Sequence, residues 1–74
     1  MLKNKRRNKG QTLSELAEKI GISEGYLSKL ERHPIQCNPH IDLILKLSQE
    51  LDIDPVNIFL YFIENRVLKT KRPR

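Results

Sequence analysis

A chain of 74 residues has room for one small domain; at that length folding buries only about 60% of the unfolded surface, which argues against the walled pocket most enzymes need. One cysteine, Cys37, excludes an internal disulfide framework and suits a reducing compartment, and no apolar run approaches the roughly 18 residues of a membrane span. Fourteen Lys and Arg against nine Asp and Glu leave a net charge of +5, which points to a polyanionic partner, usually nucleic acid.

Residues 1–9 hold Lys3, Lys5, Arg6, Arg7 and Lys9 and no acid. They read as a polar, basic helix over 2–9 that stops at Gly10, because glycine accepts the positive φ found just past a helix end. No charged-then-apolar leader with a small-residue cleavage site opens the chain, so the expected compartment is the cytoplasm.

Thr12 starts a second helix, with Glu15 three residues later completing a capping box. Leu13, Leu16, Ala17 and Ile20 recur at helical spacing, and Gly21 stops the helix after about two turns. Ser23 is a second cap candidate, and Leu27 and Leu30 carry an apolar stripe through Arg32. His33 precedes Pro34 and so leaves the α region, and 33–38 reads as a loop. Ile41, Ile44, Leu45, Ser48 and Leu51 outline a fourth helix. Asp54 then caps a fifth, with Pro55 at its first position, running to about Arg66. The remaining residues, 67–74, read as a basic C-terminal tail.

Two short helices joined by Gly21-Ile22-Ser23 make a helix-turn-helix, with Ala17 small where the helices approach. The run from Thr12 through Thr-Leu-Ser-Glu-Leu-Ala-Glu-Lys-Ile-Gly-Ile-Ser, followed by Tyr26-Leu-Ser-Lys-Leu-Glu-Arg, resembles the Xre/Cro-type repressor domain, in its SinR-like branch. The stretch 38–53 is similar to that family's fourth helix and the lead into its fifth. The resemblance covers about residues 2–62. It implies an all-α, five-helix, lambda-repressor-like domain over 1–66, a DNA-binding transcription regulator that acts as a repressor on double-stranded DNA, and no enzyme activity.

By the same resemblance the third helix enters the major groove. Glu24 and Gly25 then take the first base-reading positions, with Ser28 and Lys29 one turn on. A Glu accepts from cytosine N4 and a Lys donates to guanine O6 and N7. Thr12, Ser14, Ser23, Arg32 and Asn38 complete the expected DNA-binding set. Tyr26 has two open roles, a hydroxyl on the DNA or a ring packed on Leu13 or the loop. Arg6 and Glu31 resemble a buried pair that ties the first helix to the third. Several positions depart from the family pattern. Leu13 stands where a glutamine is common, Lys5 replaces an inward apolar residue, and His33-Pro34 replaces a glycine. His40 stands at the usual cap serine, which leaves Asn38 as the expected cap of the fourth helix.

The last helix carries Val56, Ile58, Phe59, Leu60, Tyr61, Phe62 and Ile63, apolar around most of its axis. Ile58 and Phe62 are expected in the core by the family pattern. Val56, Phe59, Leu60 and Ile63 are then left as a patch that a partner must cover, and a second copy of the chain is the expected partner. Between the basic ends, residues 10–68 hold five bases against nine acids. That acidic middle, with Glu24 at a reading position, favours the rival reading: a protein-interaction module whose apolar last helix docks an antitoxin- or antirepressor-type partner. His33, Cys37 and His40 have ligand-like spacing, but no fourth Cys or His exists to close a zinc site. No metal or cofactor is expected.

Overall fold

The computed structural model describes residues 1–70, and the side chains of residues 1–64. Five α-helices follow in order: α1 Leu2–Asn8, α2 Leu13–Ile20, α3 Glu24–Arg32, α4 Ile41–Leu51 and α5 Pro55–Thr70. Among the described residues there is no strand. The fold is all-α with five helices, the architecture that the sequence resemblance implies.

Local chemistry sets the ends of α2 and α3. Thr12 Oγ1 accepts from the Glu15 N–H at 3.1 Å while Glu15 Oε1 accepts from the Thr12 N–H at 2.9 Å, so the capping box is complete. At the other end Gly21 sits at φ 78°, ψ 32°. From there the Ile22 N–H reaches back to the Ala17 carbonyl at 3.0 Å. A side chain at Gly21 would be strained in that left-handed conformation. Two residues after Gly21, Ser23 Oγ accepts from the Tyr26 N–H at 3.0 Å and opens α3.

The core gathers Leu16, Ala17 and Ile20 of α2, Leu27 and Leu30 of α3, Leu43, Ile44, Leu47 and Leu51 of α4, and Ile58 and Phe62 of α5. Leu2 joins them at 1% exposure. It anchors an otherwise polar α1 whose like charges do little to stabilise a helix of seven residues. The second anchor of α1 is Arg6, buried, which pairs with Glu31 at the end of α3 and donates from Nη1 to the Gln11 carbonyl at 2.8 Å.

The structure departs from the sequence expectations in four places. The loop after α3 contains a 3₁₀ turn, Pro34–Gln36, with Pro34 buried. Helix α4 is capped by His40, whose Nδ1 accepts from the Leu43 N–H at 3.2 Å; Asn38, expected as the cap, lies exposed. Within α4, Ile41 and Leu45 point to solvent at 73% and 43% exposure, while Leu43 and Leu47 take the core positions. Helix α5 continues to Thr70, past the expected end at Arg66. The remainder of the expected basic tail lies outside the described residues.

The link between α4 and α5 is short and tightly held. Asp52 closes α4 at φ 53°, and its carboxylate meets Lys9 Nζ at 2.6 Å, which holds the carboxyl below its ordinary range. Ser48 Oγ donates to the Ile53 carbonyl at 2.5 Å, and the Ile53 N–H returns to the Ser48 carbonyl at 3.1 Å. Asp54 Oδ1 then accepts from the Val56 N–H at 2.9 Å and starts α5.

Candidate nucleic-acid interface

Helix α3 divides cleanly into two faces. Leu27 and Leu30 are fully buried and fix its rotation against α2 and the core. The opposite face presents Glu24, Gly25, Lys29 and Arg32, all exposed, with Ser28 half-buried between them. Glu24 lies in the first turn, where its negative charge complements the positive end of the helix dipole. Lys29 and Arg32 lie in the last turn, where a cation is favoured.

Helix α2 adds hydroxyls at its start. Thr12 and Ser14 are exposed. The hydroxyls of Thr12 and Ser23 each accept a capping bond and keep a proton to donate outward. First-turn N–H groups and free hydroxyls are the usual equipment for phosphate contacts that position a protein on a duplex.

Gly25 differs from the glycines at the turns. It is helical and has no positive φ, and a β-carbon placed on it meets no heavy atom within 4 Å. It is the second residue of α3, where a glycine costs less than the roughly 1 kcal/mol of a helix interior. Among the described residues no close neighbour requires it.

Tyr26 is half-buried, its ring packed on the edge of the core. Burial pushes its hydroxyl up from the ordinary tyrosine range, with the Cys37 thiol adding to the shift. Asn38 is exposed beyond the 3₁₀ turn. The nearby Cys37 is 2% exposed and its Sγ lies 3.7 Å from the His33 carbonyl. With His40 engaged as a cap, the His33, Cys37 and His40 trio is not gathered, and no cluster of three or more possible metal ligands occurs among the described residues.

A second surface lies on the α4–α5 side. Val56, Phe59, Leu60 and Ile63 stand 59%, 52%, 42% and 37% exposed. Sequence reasoning missed that Ile41 and Leu45 extend this patch. The groove between the two helices is lined by Ile41, Ile44, Leu45, Pro55, Val56 and Phe59, all apolar. Its signal in the sequence is the excess of apolar residues in 41–47, more than one face of a helix can bury. Among the described residues no helix is long and apolar enough to cross a membrane.

Comparison with known proteins agrees with this geometry. A helix-turn-helix family model matches residues 2–58. Over 52 residues the chain is 48% identical to the HTH-type transcriptional regulator SinR of Bacillus subtilis (strain 168), covering 70% of this chain and 46% of that protein. It is 35% identical over 54 residues to the HTH-type transcriptional regulator SlrR of the same organism, covering 73% of this chain and 35% of that protein. The chain thus spans about half, or less, of the length of these curated relatives. It is also similar to a crystal structure of SinR, the master regulator for biofilm formation, in complex with DNA: the TM-score is 0.67 at 43% identity, over 78% of this chain and 90% of that one.

Proposed function

The chain belongs to the Xre-type helix-turn-helix family, and from that premise we propose that it is a sequence-specific regulator of transcription that binds double-stranded DNA as a homodimer and represses by occupying its operator. Residues 1–66 form the DNA-binding unit, with the dimer contact on its last helix, and the basic residues of 67–74 add nonspecific phosphate attraction.

The observation that carries the reading is the outer face of α3. Its exposed Glu24, Gly25, Lys29 and Arg32 stand on a helix held by a serine cap and two fully buried leucines. Thr12, Ser14 and Ser23 supply phosphate contacts that set the register, while Glu24 and Lys29 address base edges. The likeness to a SinR chain solved in complex with DNA supports DNA binding by this fold. The apolar surface of Val56, Phe59, Leu60 and Ile63, with Ile41 and Leu45, supports the second copy. Two-fold pairing there sets two reading helices on half-sites about one helical turn apart.

Selection of binding sites from a random duplex library at low salt tests this, and an unenriched pool would sink it. The groove of Ile41, Ile44, Leu45, Pro55, Val56 and Phe59 also favours a second reading, in which a different protein seats on the patch. Sedimentation equilibrium separates the two, since a chain that stays monomeric at high micromolar concentration leaves the patch to a different protein.

A further inference from the structure

We infer that Gly25 is the clearance that lets a base-pair edge seat directly against the backbone of α3, so that its missing side chain is itself a determinant of specificity. The inference rests on the DNA-reading function proposed above and deepens it.

Three observations converge on this position. The fold does not require glycine there: the residue is helical, its φ is not positive, and an added β-carbon would meet open space. Gly10 and Gly21, by contrast, sit at φ 72° and 78°, where any side chain is strained. Gly25 lies in the first turn of α3, where a glycine costs less than in a helix interior, and nothing among the described residues requires its bare α-carbon. A contact from outside that approaches closer than a methyl group allows would account for it.

The surroundings say what approaches. Gly25, Ser28 and Lys29 are three and four residues apart and so share one stripe of the helix. Of these, Gly25 and Lys29 are exposed and Ser28 half-buried. Beside the carboxylate of Glu24, a neutral base-pair edge is a better neighbour for Gly25 than a phosphate. A base-pair edge in the major groove carries no net charge, and its amino groups can donate to that carboxylate. Gly25 thus admits the base pair, while Glu24 and Lys29 flank it as acceptor and donor.

A size series at this one residue tests the inference without confusing it with misfolding. Sites are first selected from a random duplex library with the wild-type chain. Gly25→Ala and Gly25→Leu are then titrated on the selected duplex and on a scrambled one, and each variant is melted. The expected result for Gly25→Ala is a Tm no lower than that of the wild-type chain together with about tenfold weaker binding to the selected duplex. Gly25→Leu is expected to bind more weakly still, and binding to the scrambled duplex is expected to be nearly unchanged for both. A protein that melts no lower and binds worse has lost clearance, not structure. A lower Tm for Gly25→Ala would show that the fold needs the glycine. Unchanged binding to the selected duplex would remove the close approach and leave the DNA-reading function standing. Equal losses on both duplexes would place the contact on the sugar-phosphate backbone. If the wild-type chain enriches no site, the DNA-reading function fails first and this inference falls with it.

Discussion

The Arg6 guanidinium and the Glu31 carboxylate meet edge to edge, Nε to Oε2 at 2.7 Å and Nη2 to Oε1 at 3.2 Å, with the side chains 8% and 2% exposed. The bond to Glu31 raises the already high pKa of Arg6 further, against the opposing effect of burial. Removing either partner strands the other charge in the interior, at a cost of about 3–5 kcal/mol. Arg6→Ala and Glu31→Ala are each expected to destabilise strongly, and the double variant to cost less than their sum. Denaturant melts of the four proteins check this, and additive losses would mean the pair contributes no coupling.

Lys29→Ala is expected to alter which sequences bind. The side chain is exposed on the outer face of α3, the face proposed to read the groove. A lost base contact costs about 1–3 kcal/mol at one position of the site. Titrations on the selected and a scrambled duplex check the prediction. Equal losses on both would assign Lys29 to the phosphate backbone.

Phe59→Glu is expected to give a folded monomer with much weaker operator binding. Phe59 is half exposed in the apolar groove, so a charge there disturbs the patch and not the core. In a two-fold interface one substitution acts twice, and the gain from joining two weak grips is lost. Circular dichroism and sedimentation equilibrium provide the check.

Tyr61→Phe is expected to flatten the alkaline limb of the stability profile. The Tyr61 hydroxyl lies 3.3 Å from each of the Leu30 and Glu31 carbonyls. Burial, then the nearby Glu31 and Cys37, raises its pKa in the folded state. A raised folded pKa means stability that is fully present below the unfolded value of about 10 and lost as the pH climbs through the folded one. Denaturant midpoints measured from pH 8 to 11 are expected to fall more steeply for the wild-type chain than for the variant. At neutral pH the variant is expected to lose about 1 kcal/mol.

The legible parts of the fold were those that local chemistry dictates. Thr12 with Glu15, Gly21 and Ser23 fix their helix ends through bonds spanning three to five residues, so sequence order alone reveals them. Leu2 was not legible, because one apolar residue in a basic helix makes no periodic signal, and only the assembled core shows the space it fills. The face of α4 was misassigned because 41, 43, 44, 45 and 47 are all apolar. The docking of α5 on that helix decides which of them stay dry. His40 as a cap was missed because imidazole is seldom the acceptor at a helix start. On the reading face, Glu24 and Lys29 were visible from the motif, but the open space around Gly25 was not, since clearance depends on what the rest of the fold leaves empty.

The link between α4 and α5 has a consequence for the spacing of half-sites. Asp52, Ile53 and Asp54 each make a bond, to Lys9, Ser48 and Val56 respectively, and these bonds set the course of the link between the two helices. The apolar patch rides on that corner, and α3 packs on the same core. In a two-fold dimer the distance between the two α3 helices then depends on three residues that lie outside both the α3 face and the apolar patch. Operator spacing can shift by a change at this corner, with both contact surfaces left intact.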